Sequence, residues 1–280
     1  MMIRISSDST CDLSPELLSA HHIARIPLHV VRDLQPLRDG EEITPDDIYE
    51  HVRAGGEVCQ TVAVNLAEYL EFFGDLLREA DAVIHFCISS EMSSCYQNAC
   101  LAAAQLGNVY VVDSRTLSTG IGHLVLDAAE LAESGLEPEA ILAELTRRRD
   151  KLDVSFVLDT LDYIKRGGRC SAMTAFGANL LHIRPSIQVS GGAMGVAKKY
   201  RGPLDRVLEE YVADKLGDPA TVDPRRVFIT DSGVSEETRR TVEQAVLARV
   251  PFAQVYHTRA GCTISSHCGP NCLGILFYRQ

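Results

Sequence analysis

The chain has 280 residues, 46% hydrophobic and 23% charged, the mixture of an ordinary globular protein of about two domains; this excludes collagen, simple repeats and disorder. Twenty-seven basic against thirty-eight acidic residues leave a formal charge of −11, so the molecule as a whole repels phosphate backbones and nucleic acid is not an expected partner. No apolar run approaches the roughly 20 residues of a membrane span, and Met1-Met2-Ile3-Arg4-Ile5 enters a strand-like pattern at once, so a cytoplasmic protein without a secretion signal is expected.

In chain order, the first half alternates short β-branched runs with helical periodicity. Residues 3–6 read as a strand, Ser14 caps a short helix over 15–21, and residues 23–31 read as a second strand. Thr44-Pro45-Asp46-Asp47 supplies a capping oxygen, a proline for the first turn and acids that complement the helix dipole, and Gly55-Gly56 stops that helix. Asn65-Leu66-Ala67-Glu68 has the form of a capping box opening a helix to about residue 79. A strand at 82–88, a helix at 94–106, a strand at 109–113 and helices at 117–134 and 138–151 follow. This alternation predicts a parallel sheet covered on both faces, with ligands beyond the carboxyl ends of its strands.

After residue 153 the pattern changes. A strand at 154–158 and a helical turn at 161–165 precede Gly167-Gly168; residues 172–182 read as a helix; 186–190 and 193–200, separated by Gly191-Gly192, have the form of a β-hairpin. Amphipathic helices over 204–216 and 236–250 flank a strand at 226–230, and strands at 253–257 and 273–278 end the chain. The expected fold class is α/β, with an N-terminal parallel-sheet α/β domain over 1–153 and a C-terminal α+β domain over 154–280.

Nine cysteines, an odd number scattered over the chain, fit reduced thiols. Cys262, Cys268 and Cys272, with His267 among them, have spacings of six and four that match no zinc ribbon or finger, so no metal site is assigned. Between Thr160 and Pro203, Lys165, Arg166, Arg169, Arg184, Lys198, Lys199 and Arg201 face the single acid Asp162, a local +6. Such a band either meets an anionic partner or is a solvated face.

Hydroxyl clusters follow several strands, at Asp8-Ser9-Thr10, from Ser89 to Ser94, and at Asp113-Ser114. Ser93 and Ser94 open a helix, where free N–H groups and hydroxyls suit an anion, although serines at such a place also serve simply as caps. No G-x-S-x-G elbow, phosphate-binding loop, H-E-x-x-H or dinucleotide fingerprint is present, and Gly120-Ile121-Gly122, inside a helical stretch, reads as close packing. His267, in Ser265-Ser266-His267-Cys268-Gly269-Pro270, reads as part of a turn before the last strand, either a satisfied turn residue or a ligand or base. Cys268 beside it has no recognisable acid or amide partner for nucleophilic chemistry.

Several segments are similar to the motifs of one known family. Asp8-Ser9-Thr10-Cys11-Asp12-Leu13 is similar to D-S-T-x-D-L after a first strand, Ser89-Ser90-Glu91-Met92-Ser93-Ser94-Cys95-Tyr96-Gln97-Asn98-Ala99 to S-S-x-L-S-G-T-Y-Q-S-A, and Val112-Asp113-Ser114 with Ser118, Gly120 and Gly122 to the next motif. Leu161-Asp162-Tyr163-Ile164-Lys165-Arg166-Gly167-Gly168-Arg169 looks like L-x-Y-L-x-x-G-G-R. Leu180-Leu181-His182-Ile183-Arg184-Pro185 with Gly191-Gly192 and Arg201-Gly202 looks like L-L-x-I-K-P…G…x-x-R-G, and His267-Cys268-Gly269-Pro270 like a terminal H-x-G-P. In this order, from residue 5 to 274, they resemble the DegV family, in particular its FakB-type bacterial fatty-acid-binding proteins.

The resemblance implies a two-domain DegV-like fold that holds a long-chain fatty acid between its domains and uses no other cofactor. The tail is buried, and the carboxyl is presented to a separate fatty acid kinase that makes the acyl phosphate for phospholipid synthesis, so the chain itself is not an enzyme. By matching position, Thr61, Ser93 and His267 contact the carboxyl, Arg169 supports the site, and Arg201 faces the kinase or an anionic membrane touched transiently; read from the residues themselves, the helix at Ser94 adds N–H groups and dipole. The chain departs from the family at Thr61-Val62-Ala63-Val64-Asn65, where many members have T-S-Q-P-S, and at Ser93-Ser94-Cys95, where they have S-G-T. Two other readings stand beside it: an enzyme or phosphocarrier using His267 or a cysteine, and a binder of a non-acyl anionic small molecule.

Overall fold

In a computed structural model that describes residues 1–170 and 183–280, the β-branched runs of the first half pair as a four-stranded sheet. β1 (Ile3–Asp8) lies between β2 (Ala24–Ile26) and β6 (Ala82–Cys87), and β7 (Val109–Asp113) completes the order β2-β1-β6-β7 with every pair parallel. β6 is buried at every position, as a strand covered on both faces must be. The helix caps form from local sequence. Ser14 accepts from the Leu17 N–H ahead of α1 (Pro15–Ala20), and reciprocal capping boxes join Thr44 to Asp47 at α2 (Pro45–Arg53) and Asn65 to Glu68 at α3 (Leu66–Leu77). α4 (Cys95–Leu106), α5 (Thr119–Glu133) and α6 (Pro138–Arg149) complete this half.

The single strand expected over 23–31 divides. After β2 come Pro27 and Leu28, and β3 (His29–Arg32) then leaves the parallel sheet to pair with β4 (Gln35–Arg38) and β5 (Gln60–Val62) in a separate antiparallel sheet. Proline has no N–H to give a ladder, which is the local reason for the break. β3 and β4 meet through Asp33 and Leu34, both at positive φ (50° and 66°), the backbone of a tight hairpin turn.

The remaining strands build a six-stranded mixed sheet. β8 (Leu152–Val157), β9 (Ile183–Ser190), β10 (Ala193–Arg201), β11 (Val222–Asp231), β12 (Gln254–Arg259) and β13 (Leu273–Arg279) take the order β10-β9-β8-β13-β11-β12, with β11 and β12 parallel and the other pairs antiparallel. The fold is thus mixed α/β, with an N-terminal parallel sheet and a C-terminal mixed sheet. Gly191 and Gly192, at φ 58° and 89°, turn the expected hairpin. α7 (Asp162–Gly167), α8 (Leu204–Lys215) and α9 (Glu236–Leu247) also fall near their expected places. The helix expected over 172–182 lies outside the described residues. His267 does not sit in a turn: α10 (Cys262–Cys268) carries it, a seven-residue helix whose N-cap, Gly261, has no side chain with which to announce it.

Helix α5 is buried continuously from Thr119 to Ala129 because it lies between the two larger sheets, in contact with β1 and β6 on one side and β8 and β13 on the other. A Cβ at Gly120 would stand 2.8 Å from Val154, and one at Gly122 2.8 Å from Leu13, so both glycines serve close packing. Polar bolts join α5 to the mixed sheet: Thr119 Oγ1 to Thr230 Oγ1 at 2.6 Å, His123 Nε2 to the Leu276 carbonyl at 3.0 Å, and buried Arg226 to Asp127 at 3.1 Å and Glu130 at 2.6 Å.

Candidate functional site

Between the parallel and mixed sheets is a cavity of about 310 Å³. Ile88, Leu117 and Leu276 form its buried part, with Phe156, Met194 and Ile264 alongside. The hydroxyl residues of this wall are committed to protein partners. Ser118 donates to Asp12 at 2.6 Å, Thr263 to Asp39 at 2.7 Å and Ser232 to the Gly269 carbonyl at 2.6 Å, while Thr230 bonds to Thr119 and Thr258. What the wall offers to an occupant is therefore apolar.

The rim is different. Thr61 on β5, Ser93 and Ser94 ahead of α4, Arg169 after α7 and His267 in the last turn of α10 all border the same cavity, and Val62, 49% exposed, stands beside Thr61. Arg201 ends β10 as an exposed residue and is not among the cavity-lining residues. Ser94 occupies the N-cap position of α4 but makes no capping bond; the Ser93 hydroxyl accepts from the Cys95 N–H at 3.3 Å.

His267 is held from two sides. Its Nε2 and Thr61 Oγ1 are hydrogen-bonded at 2.8 Å, and its Nδ1, without a hydrogen-bond partner, lies against Gly167, where a Cβ would stand only 2.3 Å away. Burial, and then the charge of Arg169, push its pKa down to about 4, so the imidazole is neutral at pH 7 and keeps a single N–H.

The start of α10 is fixed by carboxyl groups from far away in the chain. Gly261 N–H donates to Asp12 Oδ1 at 2.9 Å, Cys262 N–H to Asp39 Oδ1 at 2.8 Å, and Thr263 N–H to Asp39 Oδ2 at 3.1 Å. These are the otherwise unpaired donors of a helix's first turn. Sequence reasoning missed Asp39, because the helix start that it caps lies more than 220 positions away. Burial raises Asp12 to about 8 and Asp8 to about 6, since each carboxyl loses water and has another acid nearby.

The basic band does not act as a free +6. Arg166 pairs with Glu57 at 2.8 Å, Arg184 with Asp159 at 2.7 Å, and Lys198 with Asp214 and Glu210 at 2.5 and 3.1 Å. Cys268 and Cys272 belong to the cavity wall as buried thiols. Among the described residues no group of three His, Cys, Asp or Glu is placed to hold a metal ion, and no helix is long and apolar enough to cross a membrane.

Fold and site together define a three-sheet α/β protein enclosing an apolar cavity that is polar at its rim. The chain belongs to the DegV family: a family model described as "Uncharacterised protein, DegV family" matches residues 2–280. A DegV domain-containing protein of Deinococcus radiodurans is 32% identical over 282 residues, covering 98% of each chain. Among solved structures, one described as fatty acid binding of a DegV family protein from Thermus thermophilus superposes with a TM-score of 0.93 at 34% identity, covering all of both chains. DegV from Bacillus subtilis, described as a fatty acid binding protein, gives 0.86 at 27% identity, again over all of both chains.

Proposed function

We propose that this protein binds one long-chain fatty acid in the cavity between residues 1–153 and 154–280, treated as two domains, with the acyl tail inside and the carboxyl at the rim. The observation that carries the reading is the division of the cavity: its wall is apolar apart from hydroxyls bonded to the protein, whereas Thr61, Ser93, Ser94, His267 and the cationic Arg169 gather at its rim. With the His267 N–H at Nε2 donating to Thr61 Oγ1, the Thr61 hydroxyl proton is left for an anion; Ser93 brings a second hydroxyl, Arg169 a positive charge, and Ser94 the start of α4. The solved DegV-family structures from Thermus thermophilus and Bacillus subtilis, both described as binding fatty acid, support the same ligand class. At about 0.8 kcal/mol per methylene, fourteen buried methylenes supply on the order of 11 kcal/mol before ordering costs.

In this reading the protein performs no bond-making in the cytoplasm. It presents the carboxyl to a separate fatty acid kinase, whose acyl phosphate feeds phospholipid synthesis, with exposed Arg201 facing the kinase and transient contact with an anionic membrane supplying the ligand. The test is to purify the protein from a bacterial host without added lipid, extract it with organic solvent and identify the extract by mass spectrometry. About one fatty acid per chain is expected. An extract that stays empty after a fatty-acid mixture has been offered overturns the reading in favour of another anionic ligand.

A further inference from the structure

The small antiparallel sheet grips helix α10 at both ends. Thr61, on β5, bonds to His267 in the helix's last turn, and Asp39, directly after β4, accepts from the N–H groups of Cys262 and Thr263 in its first. β3 joins the two grips: His29 is paired with Arg38, next to Asp39, and Val30 with Thr61. The distance between the grips is therefore set by sheet register, and the rod between them by helix rise, roughly 1.5 Å per residue.

Asp39 is only 1% exposed and spends its carboxylate on four bonds: the two N–H groups, the Thr263 hydroxyl at 2.7 Å and the Ser9 hydroxyl at 2.9 Å. It supplies the capping oxygen and the negative charge that Gly261 lacks. It is not among the residues lining the cavity, so any effect it has on an occupant must pass through α10.

We infer that Asp39 is a positioning residue: by fixing the register of α10 it sets where His267 meets Thr61, and so where the carboxylate of the ligand is recognised. The inference rests on the fatty-acid reading above. An amide at this place turns N–H groups toward donors that need an acceptor, so Asp39→Asn releases the first turn and lets His267 leave Thr61.

The experiment compares binding of hexadecanoic acid and of 1-hexadecanol, which shares the tail and lacks the carboxyl, and follows the imidazole NMR signals of His267 in the ligand-free protein. Asp39→Asn is expected to weaken the acid about tenfold, leave the alcohol within about twofold, and shift the His267 signals as Thr61→Ala does. Ser9→Ala, which removes one donor to the same carboxylate, is expected to show the same split at about threefold and covers the case in which Asp39→Asn does not fold. Equal loss of acid and alcohol, or unmoved His267 signals, overturns the positioning role. Wild-type protein that does not bind the acid overturns the fatty-acid reading itself, which the variants are not needed to reveal.

Discussion

Thr61 and His267, 206 positions apart in the chain, meet in a hydroxyl–imidazole hydrogen bond of 2.8 Å at the rim of the cavity. One lies on the small antiparallel sheet of the N-terminal half and the other on a short helix near the C-terminus, so the bond forms only when both are in place.

Thr61→Ala removes the partner of Nε2, and Ser93→Ala removes the neighbouring hydroxyl. Each is expected to weaken fatty-acid binding about three- to tenfold while the far-UV spectrum and Tm stay close to wild type, because one hydrogen bond is worth about 1 kcal/mol. Titration calorimetry measures this; unchanged affinity in both variants removes these residues from the site.

Gly167→Ala places a Cβ where His267 Nδ1 now lies, whereas Gly168 has no atom within 4 Å of its missing Cβ but sits at φ 67°. Gly167→Ala should cost about 1–3 kcal/mol in stability and also lower ligand affinity. Gly168→Ala should cost about 1–2 kcal/mol from the left-handed backbone alone and leave affinity intact. Equal affinity in the two variants would show that His267 has room to move.

The pH dependence of stability has opposing parts. Burial lowers His85 to about 3 and both His123 and His267 to about 4, so the unfolded chain binds more protons there and stability falls as pH drops from about 6.5 toward 4. Asp12, raised to about 8, works the other way: its stabilising proton is fully held below about pH 3.8 and is lost as pH rises through 8. Between pH 6.5 and 8 this carboxyl alone should cost about 2 kcal/mol. Thermal melts across that interval should fall for wild type and flatten in Asp12→Asn; parallel curves would mean that Asp12 is already ionised.

Arg226→Ala leaves Asp127 with Arg148 alone, at 2.9 Å, and breaks one of the bolts between α5 and β11 while Thr119–Thr230 stays. Removing one partner of a buried pair costs about 3–5 kcal/mol, and urea denaturation should register a loss of that order. A loss under about 1 kcal/mol would mean that water or Arg148 replaces the missing charge.

Arg201 stands exposed at the end of β10, away from the cavity lining. Under the kinase-docking reading, Arg201→Ala leaves fatty-acid affinity unchanged and slows acyl-phosphate formation by about tenfold in a coupled assay with the kinase. A drop in Tm with an unaltered rate would make it a structural arginine instead.

What the sequence determined by itself was everything carried by neighbours in the chain. The caps at Ser14, Thr44 and Asn65, the Gly191-Gly192 hairpin and the parallel character of the first half follow from hydrogen bonds and side-chain alternation within a few residues. The ordered motifs carried the family as well. Tertiary structure alone decided the partner that β3 takes in β5 once Pro27 has broken the strand, the existence of α10 and the pairing of Arg166, Arg184 and Lys198 with acids outside the basic stretch. It also brought Thr61, Ser93, Ser94, Arg169 and His267 to one rim. α10 shows the reason most directly: its capping oxygens, on Asp12 and Asp39, arrive from more than 220 residues earlier, and no pattern of neighbouring residues can carry a hydrogen bond whose other half is supplied only by the folded chain.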